Sequence, residues 1–202
     1  SKGIGRAAAL EIAQMGAKRL GHATALGLDP EVAVARRPNA HTHELLSERL
    51  DQIAYDLVHA AELENSGIEV DAEALEQEQQ VLKKRASDDR IERPYDAQRL
   101  QDIRKRQKYV LDCLTQLGTV IETCPTSNLR IGGVPDPSHS PIHTFLKSNV
   151  NLVIGADDPG IFDSPLANEI DWILTHANWT AEALEKRLGD PRRFQLGSLR
   201  PI

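Results

Sequence analysis

Three short stretches put residues able to do chemistry at the ends of strand-like segments. They are "RLGHA", with His22, "ETCPTSN", and "GADDP", with the doublet Asp157–Asp158. Adjacent carboxylates repel if both stay charged and unpaired, and a divalent cation or a hydrogen-bond donor relieves that repulsion. One carboxylate of the pair could hold a metal while its neighbour holds a substrate donor. The bland reading of the doublet is an acidic turn that caps the next helix. A histidine beside a metal-bound water could accept a proton during hydrolysis. Taken alone, a histidine such as His22 is more often structural. "CPTSN" offers further polar groups, best read as a turn tying the following loop to the rim of the sheet.

The elements that position these residues are legible as pattern. Residues 4–16 repeat Ala, Leu and Ile at helical spacing and stop at Gly16, and "AKRLGHA" follows as a strand. "ALGLDPE" is expected as a loop, with Pro30 barring a helix. Residues 41–65 read as a helix with a stripe of Leu45, Leu46, Leu50, Ile53, Leu57 and Ala61. Asp71 is expected to cap a helix over 72–85; Ala74 stands where a full capping box would need Glu or Gln. "ASDDRIERPYD" reads as a loop, and residues 96–117 as a helix ending at Gly118. "TVIETCP" is a strand, "TSNLRIGGVPDPSHSP" a long loop, and "IHTFLKSN" a short helix. "VNLVIGADDP" is a continuous apolar run of the kind buried on both faces of a parallel sheet. Helices are expected near 164–177 and 180–188.

That alternation predicts an α/β class with parallel strands. In such sheets functional side chains project from the carboxyl ends of the strands, where all three motifs lie. Three strands alone leave two open edges, so the chain is expected to supply part of a larger sheet or barrel.

The 202 residues, with 24 Lys and Arg against 30 Asp and Glu, carry a formal net charge of −6. This argues against binding driven by phosphate attraction; RNA is possible but not indicated by charge, and a pocket for a nucleoside or nucleotide is compatible. The apolar runs are too short to cross a bilayer and no membrane partner is expected. The two cysteines, Cys113 and Cys124, lack metal-type spacing, and a reduced, cytoplasmic setting is expected. The chain opens on serine and enters a helix almost at once, as a fragment or processed chain would.

"SKGIGRA" imitates the glycine turn of short-chain dehydrogenases, which would bind NAD(P). The next strand ends in a histidine, not the acidic residue that holds the ribose, and no Tyr-x-x-x-Lys pair follows.

Taken in order, "RLGHA", "ETCPTSN" and "GADDPGIF", with the preceding helix "ALEIAQMGAK", resemble the C-terminal half of the adenosine deaminase family. The resemblance covers roughly residues 4–30 and 111–177. It implies the C-terminal part of a (β/α)8 TIM-type barrel and a catalytic Zn2+. It also implies hydrolysis of adenosine or an adenine nucleotide to the inosine product with release of ammonia. By the same resemblance Asp157 is the zinc-binding aspartate. His22 orients and helps deprotonate the attacking water, and Asp158 hydrogen-bonds the purine ring.

Family members take further ligands from a His-x-His pair and a His-Ala-Gly-Glu type segment, and neither stands at a matching place here. "HTH" at His41 and His43 lies downstream of His22 and reads as surface. One aspartate does not hold a catalytic zinc. The resemblance therefore implies that this chain alone is inactive and that an N-terminal half of the same protein completes the site. Residues 1–30 and 111–202 are expected to form the partial barrel. Residues 31–110 form a helical insertion acting as a lid or an oligomer contact. In this insertion the chain looks like the large bacterial deaminase-like proteins, some tied to anti-phage defence. A non-catalytic assembly module derived from a deaminase is the alternative.

Overall fold

A computed structural model describes residues 6–35, 43–86 and 88–194. Helix α1 (Arg6–Gln14) buries Leu10 and Ala13 and leads into strand β1 (Arg19–Gly21). Two short helices follow, α2 (Thr24–Gly27) and α3 (Pro30–Ala35). Strand β2 (His43–Leu45) runs directly into α4 (Leu46–Val58), then α5 (Ala60–Asn65) and α6 (Ala72–Leu82). Strand β3 (Arg90–Glu92) precedes the long α7 (Ala97–Gln116), β4 (Val120–Thr123) and α8 (Pro125–Arg130). The chain then forms α9 (Ile142–Lys147), β5 (Asn151–Ile154), α10 (Pro159–Phe162), α11 (Leu166–His176) and α12 (Ala181–Leu188).

Two compact units divide the chain: Ser1–Asp29 with Val110–Ile202, and Pro30–Tyr109. The first holds a parallel sheet in the order β1-β4-β5. Its register aligns Leu20 with Ile121 and Ile121 with Leu152, so the three strands end side by side at their carboxyl edge. The expected α/β class with parallel strands is present, as an open three-stranded sheet among the described residues.

Each outer feature has a local cause. Helices α1 and α7 both stop at a glycine with positive φ, Gly16 (106°) and Gly118 (66°). In both, the residue after the glycine donates back five positions: Ala17 to Ile12 at 3.1 Å and Thr119 to Leu114 at 3.0 Å. This terminator satisfies the last carbonyls and turns the chain into a strand. Leu20, Leu114, Val120, Ile121, Ile142, Phe145, Leu152 and Ile173 are buried around the sheet. Each such side chain contributes about 2 kcal/mol on removal from water. Arg187 of α12 reaches back and donates to the carbonyls of Phe145, Leu146, Ser148 and Val150, fastening the end of α9 to the start of β5.

The second unit is helical with a two-stranded antiparallel ribbon, β2 with β3. Leu46, Ile53, Leu82 and Ile91 form its core, with Leu50, Leu57 and Leu75 packed against it. The Asp71 cap is as expected, accepting from Ala74 N at 3.0 Å.

Four local readings need correction. Pro30 does not bar a helix but opens α3, because the first helical position needs no N–H and suits proline's fixed φ. The helix expected from residue 41 begins at Leu46, since His43–Leu45 pair with Arg90–Glu92. The stretch read as the loop "ASDDRIERPYD" accordingly contains β3. The loop expected from Thr126 begins instead as α8, again with proline in its first turn.

Candidate functional site

The carboxyl ends of β1, β4 and β5 carry the chemistry-bearing residues. The ladder continues one step past the strands: His22 N donates to Glu122 O at 2.6 Å and Gly155 N to Thr123 O at 2.9 Å. Gly155 leaves room here for the Glu122 side chain, whose Oε1 would have to shift from a Cβ placed 2.5 Å away. The backbone then turns sharply on both outer strands. His22 and Ala23 have φ of 61° and 47°, and Ala23 N closes a three-residue turn to Gly21 O at 2.7 Å. Asp157 has φ 59°. Left-handed conformations at non-glycine residues cost on the order of 1–3 kcal/mol each and cluster at functional sites.

These turns bring two side chains together across the middle strand. β1 and β5 lie two strand spacings apart, roughly 10 Å. Yet His22 Nε2 stands 3.6 Å from Asp157 Oδ2. The side chains are 16% and 31% exposed, so the pair is sheltered but open to a ligand. Over the end of β4 sits the first turn of α8, which holds both. Ser127 Oγ donates to Asp157 Oδ2 at 2.6 Å. His22 Nδ1 lies 3.0 Å from Asn128 Oδ1. An amide oxygen only accepts, so this contact puts a proton on Nδ1 and turns Nε2 toward Asp157.

Sequence reading named His22 and Asp157, and the structure brings them together. Asp158 is the adjacent residue, exposed; it stands at the N-cap position of α10, as the acidic-turn reading of the doublet has it, but its side chain makes no cap bond. Sequence reading gave "CPTSN" only a tying role and missed Ser127 and Asn128, both fully buried, as the groups that orient the other two. Polar residues just after a proline at a strand end, where a helix starts, were the available signal. His43 is exposed on β2; His41 lies outside the described residues, as does most of "SKGIGRA".

Among the described residues no three His, Cys, Asp or Glu side chains converge as a metal cluster. A cavity of about 310 Å³ lies elsewhere, against Thr126, Arg130, Ser164, Asn168 and Trp172, and neither His22 nor the two aspartates line it. Two buried polar atoms of the β4–α8 segment, Thr123 Oγ1 and Asn128 Nδ2, have no hydrogen-bond partner among the described residues. Buried polar atoms are normally satisfied, so this end of the sheet has the character of one component of a larger polar site. No described helix is long and apolar enough to cross a membrane.

Comparison with known proteins gives the chain its family. An adenine deaminase of Rhizobium leguminosarum is 40% identical over 58 residues, 29% of this chain and 18% of that protein. An aminodeoxyfutalosine deaminase of Acidothermus cellulolyticus is 36% identical over 56 residues, 28% of this chain and 16% of that protein. An adenosine deaminase of Plasmodium vivax is 26% identical over 77 residues, 38% of this chain and 21% of that protein. The matched segments thus span about a fifth of these relatives' lengths. The adenosine deaminase family profile matches residues 6–189, nearly the whole described chain, and the chain belongs to that family.

Proposed function

We propose that this chain supplies the C-terminal part of a (β/α)8 barrel in a zinc-dependent purine deaminase. It hydrolyses the 6-amino group of adenosine or an adenine nucleotide, giving the inosine product and ammonia. The observation that carries this reading is the approach of His22 Nε2 to Asp157 Oδ2 over the end of β4.

The donor set fits one part of a zinc site. Asp157 offers a carboxylate whose orientation is held by Ser127, and a tetrahedral ion needs two or three further protein ligands, supplied from outside these 202 residues. When bound, zinc lowers the pKa of a coordinated water and so yields a nucleophile near neutral pH. The chain's own residues do the rest. Asn128 fixes the His22 tautomer, and Nε2 orients the attacking water and takes its proton. Asp158, beside the metal ligand and free of a capping bond, hydrogen-bonds the purine ring. The water oxygen becomes the product's 6-oxo group, and the amino group leaves as ammonia after protonation. Residues 31–110 serve as a lid or as a contact in a homo-oligomer, and the cytoplasm is the proposed setting.

The test is zinc content together with ammonia release from adenosine and its phosphates in the assembled protein. Stoichiometric zinc and release that disappears in Asp157→Ala are the expected results. Retained release in Asp157→Ala overturns the metal assignment. A protein without zinc and without deamination is the non-catalytic assembly module.

A further inference from the structure

Helix α8 has an unusual start. Cys124, its N-cap residue, makes no side-chain cap bond. The amide of Thr126, one of the unsatisfied donors of the first turn, instead donates to Glu169 Oε2 at 3.0 Å, from a residue 43 positions later. The other carboxylate oxygen, Oε1, accepts from the hydroxyl of Ser164. Glu169 is wholly buried and Ser164 is 2% exposed. Both of these partners are neutral donors. Burying a carboxylate against neutral donors costs stability compared with an apolar side chain, so stability alone does not account for the choice.

What the carboxylate joins does account for it. The residues after Thr126 are Ser127 and Asn128, which hold Asp157 and His22. Ser164 closes the segment that begins at Asp157–Asp158 and runs through α10, its amide donating back to Pro159 O at 3.3 Å. We propose that Glu169 is a positioning residue: it locks the first turn of α8 against the segment following Asp157–Asp158, and so fixes where Asp157 and His22 stand. The inference rests on the functional reading above, because it assigns Glu169 a purpose through those two side chains.

The assembled protein is titrated with zinc alone against a competing chelator, and the cobalt-substituted protein is examined by visible absorption. Glu169→Ala is expected to weaken zinc binding by about 10-fold, the low end for residues that support metal ligands, and to change the cobalt spectrum. Glu169→Gln is expected to restore both. Its amide oxygen accepts from Thr126 N, its NH2 donates to Ser164 Oγ, and the serine hydroxyl rotates to suit. A folded Glu169→Ala with wild-type affinity and spectrum overturns the proposal, as does a Gln variant no better than Ala. Should Glu169→Ala not fold, Ser164→Ala decides: weaker zinc binding supports the clamp, and unchanged binding refutes it. Asp157→Ala, measured alongside, separates the two levels. If it loses zinc while Glu169→Ala keeps it, only the clamp fails. If it binds zinc normally, the site assignment fails and the clamp with it.

Discussion

In the helical unit, Arg106 meets Asp56 through two hydrogen bonds of 2.6 and 3.0 Å, with Gln52 adding a third to the same carboxylate. Burial opposes the Arg106 charge, but the bonds and charge of Asp56, with Asp102, outweigh it and hold the guanidinium above its ordinary pKa. Arg49 grips Glu78 with two nitrogens, and Arg93 and Arg99 share Glu44. In the sheet unit the polar atoms at the strand ends are held differently. Asp157 is oriented by a serine hydroxyl, and His22 by an amide. All five described non-glycine residues with positive φ, from His22 to Asn178, fall in that unit. One region closes its charges on themselves, and the other holds its site residues through neutral groups, with three of its positive-φ residues, His22, Ala23 and Asp157, at the carboxyl edge of the sheet. That contrast separates a body built to stay folded from an edge built to meet something.

The sharpest break of the contrast is Asp56→Ala. It leaves Arg106 buried, with only Asp102 at the rim, and removing one partner of a buried pair costs about 3–5 kcal/mol. Chemical denaturation followed in the assembled protein is expected to show a loss near the lower bound, because Asp102 remains. Zinc content of the native state is expected to be unchanged. A variant as stable as wild type would show that the helical unit's buried charges do not hold it together.

The converse test acts on turnover without stability. His22→Ala is expected to slow deamination by at least about 100-fold, the scale of a positioned acid–base group, while zinc stoichiometry stays intact. Zinc loss together with activity would make His22 a ligand. Asn128→Leu removes the acceptor that sets the imidazole tautomer, and a fall of about 10-fold in turnover is expected. Asn128→Asp, which keeps an acceptor at that position, is expected to recover part of it. Steady-state kinetics of the three variants checks the order.

Much of this was readable before any coordinates. A continuous apolar run marked β5, β-branched residues marked β4, and the two terminal glycines marked the turns into β1 and β4. His22 and Asp157 stood out as polar residues at strand ends. What escaped was non-local or depended on how proline was read. Pro30 and Pro125 looked like terminators, yet each begins a helix, and the second conceals the turn that carries Ser127 and Asn128. The β2–β3 ribbon joins His43–Leu45 to Arg90–Glu92 across three helices, and neither strand has a pattern of its own. The Glu169–Thr126 bond spans 43 residues and leaves no periodic trace.

The smallest expected effect is the most direct probe of how the helical unit uses its pairs. Hydrogen bonds from Arg49, with its charge and that of Arg93, hold the Glu78 carboxyl below its ordinary pKa against the opposing effect of burial. A carboxyl depressed in the folded state contributes stability above its unfolded pKa, near 4.3 for glutamate. That contribution fades as pH falls through the lower folded value. The helical unit is therefore expected to lose stability on acidification from about pH 5 downward, and Glu78→Gln is expected to flatten that part of the profile. Glu78 is 35% exposed, so solvent screening keeps the contribution below about 1 kcal/mol. Thermal melts of wild type and Glu78→Gln across that range measure it. A variant with an unchanged slope would show that the Arg49–Glu78 pair does not carry the acid sensitivity of the unit.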